Sequence, residues 1–138
     1  METLALPRSQ RAVAIACFMV CVSACSDGQP IVTETHELPS PDGRMAAVVE
    51  VVDNGLGFGL GALYEEVHVI KAGDAVNDHG ASSNSLAFYI ESNYGKGKHV
   101  AVTWVSPTQL RIEFDGPNKP GKTKLTVAGI TIEYIRNT

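Results

Sequence analysis

Leu110, Ile112 and Phe114 alternate with Gln109, Arg111 and Glu113. An extended chain points these two rows to opposite sides, so the period of two predicts a strand with one apolar face. The same alternation recurs in Ile130, Ile132 and Tyr134 against Thr131 and Glu133. It recurs again in Val100, Val102 and Trp104, and in Leu86, Phe88 and Ile90. Segments 45–52 (MAAVVEVV) and 65–71 (EEVHVIK) are rich in β-branched residues, with Val49, Val51, Val67 and Val69 as the expected core positions. No segment after residue 30 carries an apolar stripe of helical spacing over three turns.

Turn signals separate these runs. Ser40-Pro41-Asp42-Gly43 has proline at the second position and glycine at the fourth, the preference of a type I turn. Ser106-Pro107-Thr108-Gln109 and Asp115-Gly116-Pro117-Asn118 mark two further breaks. Short connections join neighbouring strands antiparallel. The expected fold is therefore all-β: a small antiparallel sandwich or curled meander of about six to eight strands, burying one face.

The three cysteines, Cys17, Cys21 and Cys25, fall within nine positions of one another. Arg8 and Arg11 precede an uncharged eleven-residue run, 12–22, which small residues and Asp27 follow. That order predicts a signal-peptide helix with a processing site. The run is shorter than the roughly 20 apolar residues that a membrane-spanning helix needs. The segment Val22-Ser23-Ala24-Cys25 resembles the lipobox of bacterial lipoproteins, an aliphatic residue and two small ones before a cysteine. The resemblance implies a diacylglycerol on Cys25, cleavage after residue 24 and an acylated new amine. Cys21 departs from the pattern beside its cut, and Cys17 leaves too short an apolar run. The competing reading is ordinary cleavage with Cys25 a free or crosslinked thiol; an isolated cysteine directly after a small-residue site favours lipidation. Zinc is disfavoured, because thiolate ligands do not suit an apolar export segment. In enteric-type lipoproteins a serine after the lipidated cysteine favours the outer membrane, so with Ser26 the resemblance implies an anchor there, facing the periplasm.

The expected organisation is a removed signal peptide (1–24), a lipidated cysteine with a short tether (25–32) and one all-β domain (33–138). Setting aside Glu2, Arg8 and Arg11 leaves nine basic and fourteen acidic residues, a net charge of −5. This argues against a nucleic-acid partner, which favours a basic face. The small basic clusters KGKH (96–99) and KPGKTK (119–124) read as solvated loop tips.

Two resemblances concern the domain. Ser40-Pro41-Asp42-Gly43-Arg44 before an apolar strand resembles the repeat unit of bacterial β-propellers. At least four blades of about 40 residues are needed, and the chain has room for two. More of it, residues 33–135, resembles small bacterial lipoprotein domains of unknown function. The shared pattern is the SPDG turn, a glycine-containing segment (54–61), Val67-x-Val69, then Trp104, Ser106, Leu110 and Ile112. That family carries no activity to transfer.

Local catalytic or metal motifs are lacking. The glycines of 53–61 (DNGLGFGLG) have neither the helix start nor the Gly-Lys-Ser/Thr of a phosphate loop. They read as a loop or bulged strand with Leu56, Phe58 and Leu60 on one face, a candidate contact surface for a partner or the bilayer. His36, His68, His79 and His99 show no metal-ligand spacing, and His68 opposes Val67 and Val69 in parity, facing solvent or the sheet's second face. Asp74, Asn77, Asp78 and His79 offer oxygen ligands but lack the order of a calcium loop. Glu65 and Glu66, as strand neighbours, point to opposite faces and cannot act together. No G-x-S-x-G elbow surrounds Ser82, Ser83 or Ser85.

The expected function is a lipid-anchored, non-enzymatic envelope module without a cofactor, metal or catalytic residue. Its expected partners are the bilayer, through acylated Cys25, and an envelope protein at the same membrane. About eight residues separate Cys25 from a strand expected near Thr33, at most roughly 26–29 Å of chain. The alternatives are an envelope hydrolase with a site assembled across strands, and an inhibitor or immunity-type periplasmic lipoprotein.

Overall fold

The computed structural model describes residues 30–55, 62–92 and 99–137. Among them are nine strands and no helix: β1 (Ile31–Pro39), β2 (Met45–Asp53), β3 (Leu63–Lys71), β4 (Leu86–Ser92), β5 (Val100–Ser106), β6 (Gln109–Phe114), β7 (Lys122–Thr123), β8 (Thr126–Val127) and β9 (Ile130–Arg136). Seven are long, and β7 and β8 have two residues each. The expected signal-peptide helix lies outside the described residues.

The strands form two sheets, one ordered β1-β2-β3-β4-β7 and the other β5-β6-β9-β8. All pairings are antiparallel except β6 with β9. Residues 115–129 between those two strands are long enough for a parallel crossover. On the way they add β7 to the first sheet and β8 to the second.

The core lies between the sheets. Ala47, Val67, Val69, Phe88 and Ile90 meet Val100, Leu110, Ile112, Phe114, Ile130 and Ile132 there. The Phe88 ring lies 5.0 Å from Phe114 and 5.8 Å from Tyr134, centroid to centroid. Trp104 donates its indole N–H to the Leu38 carbonyl at 2.9 Å, joining β5 to β1. Glu65, on the core side of β3, accepts the N–H groups of His99 (2.8 Å) and Val100 (3.0 Å) at the start of β5.

The SPDG turn forms with a Gly43 N–H to Ser40 carbonyl bond of 2.9 Å and Gly43 at φ +70°. Asp42 accepts from the Ser40 hydroxyl at 2.7 Å and the Arg44 guanidinium at 2.6 Å. These bonds hold its carboxyl down at about 2.

Three expectations change. The first strand begins at Ile31 rather than near Thr33. Leu86 leaves the row of Phe88 and Ile90, because the register shift at Ala87 pairs it with His68. Third, β2 and β3 are buried on both faces. Ala46, Val48 and Val52 are more buried than Val49 and Val51, because segment 72–85 covers the sheet's second face, with Val76 packed on Ala46, Val48 and Ile70.

Candidate functional site: a buried histidine–glutamate cluster

The alternation of β2 and β3 sends Glu50, Glu66 and His68 to that second face. Glu50 and Glu66 are direct cross-strand partners, and His68 lies two residues beyond Glu66 on the same face. All three are buried, at 6 %, 4 % and 0 % exposure. Like charges directly opposite in a sheet repel, so this pairing opposes strand association unless something compensates it.

Segment 72–85 brings the rest. His79 turns inward, its Nδ1 lying 3.3 Å from Glu50 Oε2 and 3.3 Å from Glu66 Oε2. His68 Nε2 is 3.0 Å from the same Glu66 oxygen. Gly80, whose φ of +80° suits glycine, donates its N–H to Glu66 Oε1 at 3.1 Å. On the far side of the His68 ring, Nδ1 meets Ser85 Oγ at 2.9 Å, and Ser85 Oγ meets Ser83 Oγ at 3.1 Å. Thr35 of β1 reaches Glu50 Oε1 at 3.5 Å. The two imidazoles stand edge to face, 5.8 Å apart.

Burial pushes the Glu66 carboxyl up. The hydrogen bonds and charge of His68, with the bonds from His79 and Gly80, outweigh it and hold Glu66 below its ordinary value. Glu50 differs: its Oε2 is buried without a hydrogen bond. Among the described residues, neither carboxylate forms an ion pair with Lys or Arg.

A cavity of about 200 Å³ opens beside the cluster, lined by Pro30, Val52, Asn54, Tyr64, Glu66 and Tyr89, among others. Tyr64 and Tyr89 meet edge to face across 5.8 Å. Beyond the cluster, an open recess of about 760 Å³ includes Ser83 and Ser85 in its wall. Lys122 and Lys124 brace the covering segment: Lys122 donates to the Ala81 carbonyl, and Lys124 to those of Ser83 (3.3 Å) and Asn84 (3.0 Å). These two lysines of the 119–124 cluster thus tie chain segments together instead of standing at a solvated tip.

Cys25 and the candidate contact residues Leu56, Phe58 and Leu60 lie outside the described residues. Asp74, Asn77 and Asp78 stay exposed, and the Asn77 amide donates to the Ala75 carbonyl at 3.1 Å; His79 leaves them for the sheet. Glu65 and Glu66 occupy opposite faces, as their adjacency predicts. The cluster itself escapes any motif search, since its members come from two strands and a loop. No family model matches the chain, and no curated protein or solved structure matches it.

Proposed function

We propose that this chain is a lipid-anchored module of the bacterial cell envelope that binds at the membrane holding its lipid. The observation that carries this reading is Val22-Ser23-Ala24-Cys25 after an uncharged apolar run, with Arg8 and Arg11 before it. Signal peptidase removes residues 1–24, Cys25 carries the acyl chains, and the domain faces the periplasm from the outer membrane. Two or three chains anchor firmly, each buried methylene contributing about 0.8 kcal/mol.

The start of β1 at Ile31 supports binding close to the bilayer. Six residue steps from Cys25 span at most roughly 20–22 Å. Pro30, at the end of that tether, lines the cavity shared by Tyr64, Tyr89 and Glu66. A partner using this cavity therefore sits at the same membrane, an envelope protein rather than nucleic acid. Cys25→Ser should abolish fatty-acid labelling and detergent-phase partitioning and leave an unprocessed precursor. Equal labelling of variant and parent overturns the reading.

One observation favours a second reading, a hydrolase of envelope material. Ser85 Oγ, His68 and Glu66 form a continuous hydrogen-bonded relay at 2.9 and 3.0 Å, and Ser85 borders the open recess. A hydroxyl beside a base oriented by a carboxylate is the arrangement of an activated nucleophile. In this reading Ser85→Ala abolishes ester turnover; undetectable turnover by the parent protein dismisses it.

A further inference from the structure

We propose that Glu50, Glu66, His68 and His79 bind one divalent transition-metal cation of the zinc type. Four observations converge on this assignment.

The first is charge. Two carboxylates lie buried face to face, and among the described residues no Lys or Arg pairs with the charge of either glutamate. A divalent cation cancels that charge inside the fold and removes the repulsion between the facing glutamates. The second is spacing. Zinc bonds of about 2.0–2.1 Å to nitrogen and oxygen place tetrahedral ligand atoms about 3.3 Å apart. Here the ligand-atom separations are 3.0 Å for His68–Glu66, 3.3 Å for His79–Glu66 and 3.3 Å for His79–Glu50. One atom each from Glu50, His68 and His79 lies within 4.8 Å of the other two.

The third is the unmatched oxygen. Glu50 Oε2 is buried, has no hydrogen bond and points at His79. A buried polar atom left this way is costly unless something else satisfies it. The fourth is the surrounding shell. His68 Nδ1 is held by Ser85, Glu66 Oε1 by Gly80 and Glu50 Oε1 by Thr35, which leaves Nε2 and the two Oε2 atoms directed inward. Metal-bound histidine characteristically donates its second N–H in this manner.

Mixed nitrogen and oxygen donors suit zinc, nickel or copper better than magnesium or calcium. The hydrolytic relay uses Glu66, His68 and Ser85 and leaves Glu50 and His79 without a role. It also requires the opposite His68 tautomer, with the proton on Nε2. A cation employs all four residues.

The test is a zinc titration of the full chain, purified in detergent and stripped with chelator. Calorimetry should show one equivalent bound, and cobalt in place of zinc should give the visible absorption of a low-symmetry four-coordinate site. His79→Gln and Glu50→Gln, which alter a partly exposed loop residue and a carboxylate whose Oε2 lacks a hydrogen bond, should each weaken zinc binding by more than about 100-fold while circular dichroism is unchanged. Ser85→Ala, which alters a positioning residue, should weaken it by about 10–100-fold. Absence of stoichiometric zinc binding by the parent, or equal binding by both ligand variants, overturns the proposal. Neither result bears on the anchor: fatty-acid labelling of Cys25 and zinc binding succeed or fail independently.

Discussion

Replacing Glu65 by alanine should destabilise the protein far more than replacing a solvent-facing strand glutamate such as Glu133 does. Its carboxylate, 2 % exposed, accepts two backbone N–H groups from the chain entering β5. Truncation leaves both donors without that acceptor, at about 1–3 kcal/mol each. The loss should reach about 4 kcal/mol, enough to lower the melting temperature by roughly 15–30 °C in a domain of this size. Glu65→Gln keeps one acceptor oxygen and turns a donor toward the other N–H, so about half that loss is expected. Glu133→Ala is the control. It removes a glutamate paired with Arg111 at 3.0 Å, but at 40 % side-chain exposure, where such pairs contribute about 0–1 kcal/mol. Urea unfolding followed by Trp104 fluorescence measures all three, with the slope checked for two-state behaviour. A Glu65→Ala loss below about 1 kcal/mol would refute the reasoning, because water would then be satisfying both N–H groups.

Tyr134 shares its hydroxyl proton between the carbonyls of Lys124 (2.7 Å) and Ala87 (2.9 Å) and accepts the Lys124 N–H at 3.0 Å, so Tyr134→Phe should cost about 1–3 kcal/mol in urea unfolding. Burial raises this phenol to about 12, against a lowering bond from Lys124. Because the folded value exceeds the ordinary 10.0, its contribution is complete below pH 10 and lost between pH 10 and 12. Tyrosinate absorbance and circular dichroism should therefore change together in that window, and Tyr134→Phe should lack the step. Gly121→Ala puts a methyl into the Tyr89 ring, so a shifted Tyr89 and a loss of about 1–3 kcal/mol are expected; an unchanged urea midpoint counts against the packing described. Trp104→Phe removes the donor to Leu38 and should cost about 1 kcal/mol; a neutral result in urea unfolding followed by circular dichroism would show that this tie between sheets adds nothing.

The strands were legible because Leu110, Ile112 and Phe114, or Ile130 and Ile132, repeat at a spacing that only an extended chain aligns. The parallel partnership of β6 and β9 was not, since alternation says which way a side chain faces but nothing about its neighbour. Leu86 misled for a local reason: one extra residue at Ala87 reverses its side, and no turn signal announces it. The cluster was hidden differently. Glu66 and His68 occupy the row opposite Val67 and Val69, which reads as a solvated face until segment 72–85 is laid across it. A signal did exist. In β2 the opposite row holds Ala46, Val48 and Val52 as well as Glu50, and a strand apolar on both rows is covered on both sides. Polar residues set in such a row are buried polar residues. His79 had no comparable cue, because its inward turn depends on the backbone of the covering segment.

The crossover between β6 and β9 has a consequence for the order of assembly. The hairpins β1-β2-β3-β4 join chain neighbours and can form from local contacts alone. The second sheet cannot: β6 must wait for residues 130–136, with the 115–129 excursion already in place, before its inner edge is paired. Closing that distant pair is the slow kind of event in β proteins, and it leaves a strand edge open meanwhile. The exposed species to guard against is therefore an intermediate with the first sheet formed and β6 paired with β5 alone, its β9-facing edge open. Stabilising the excursion, rather than the hairpins, is the route to faster refolding and fewer aggregates.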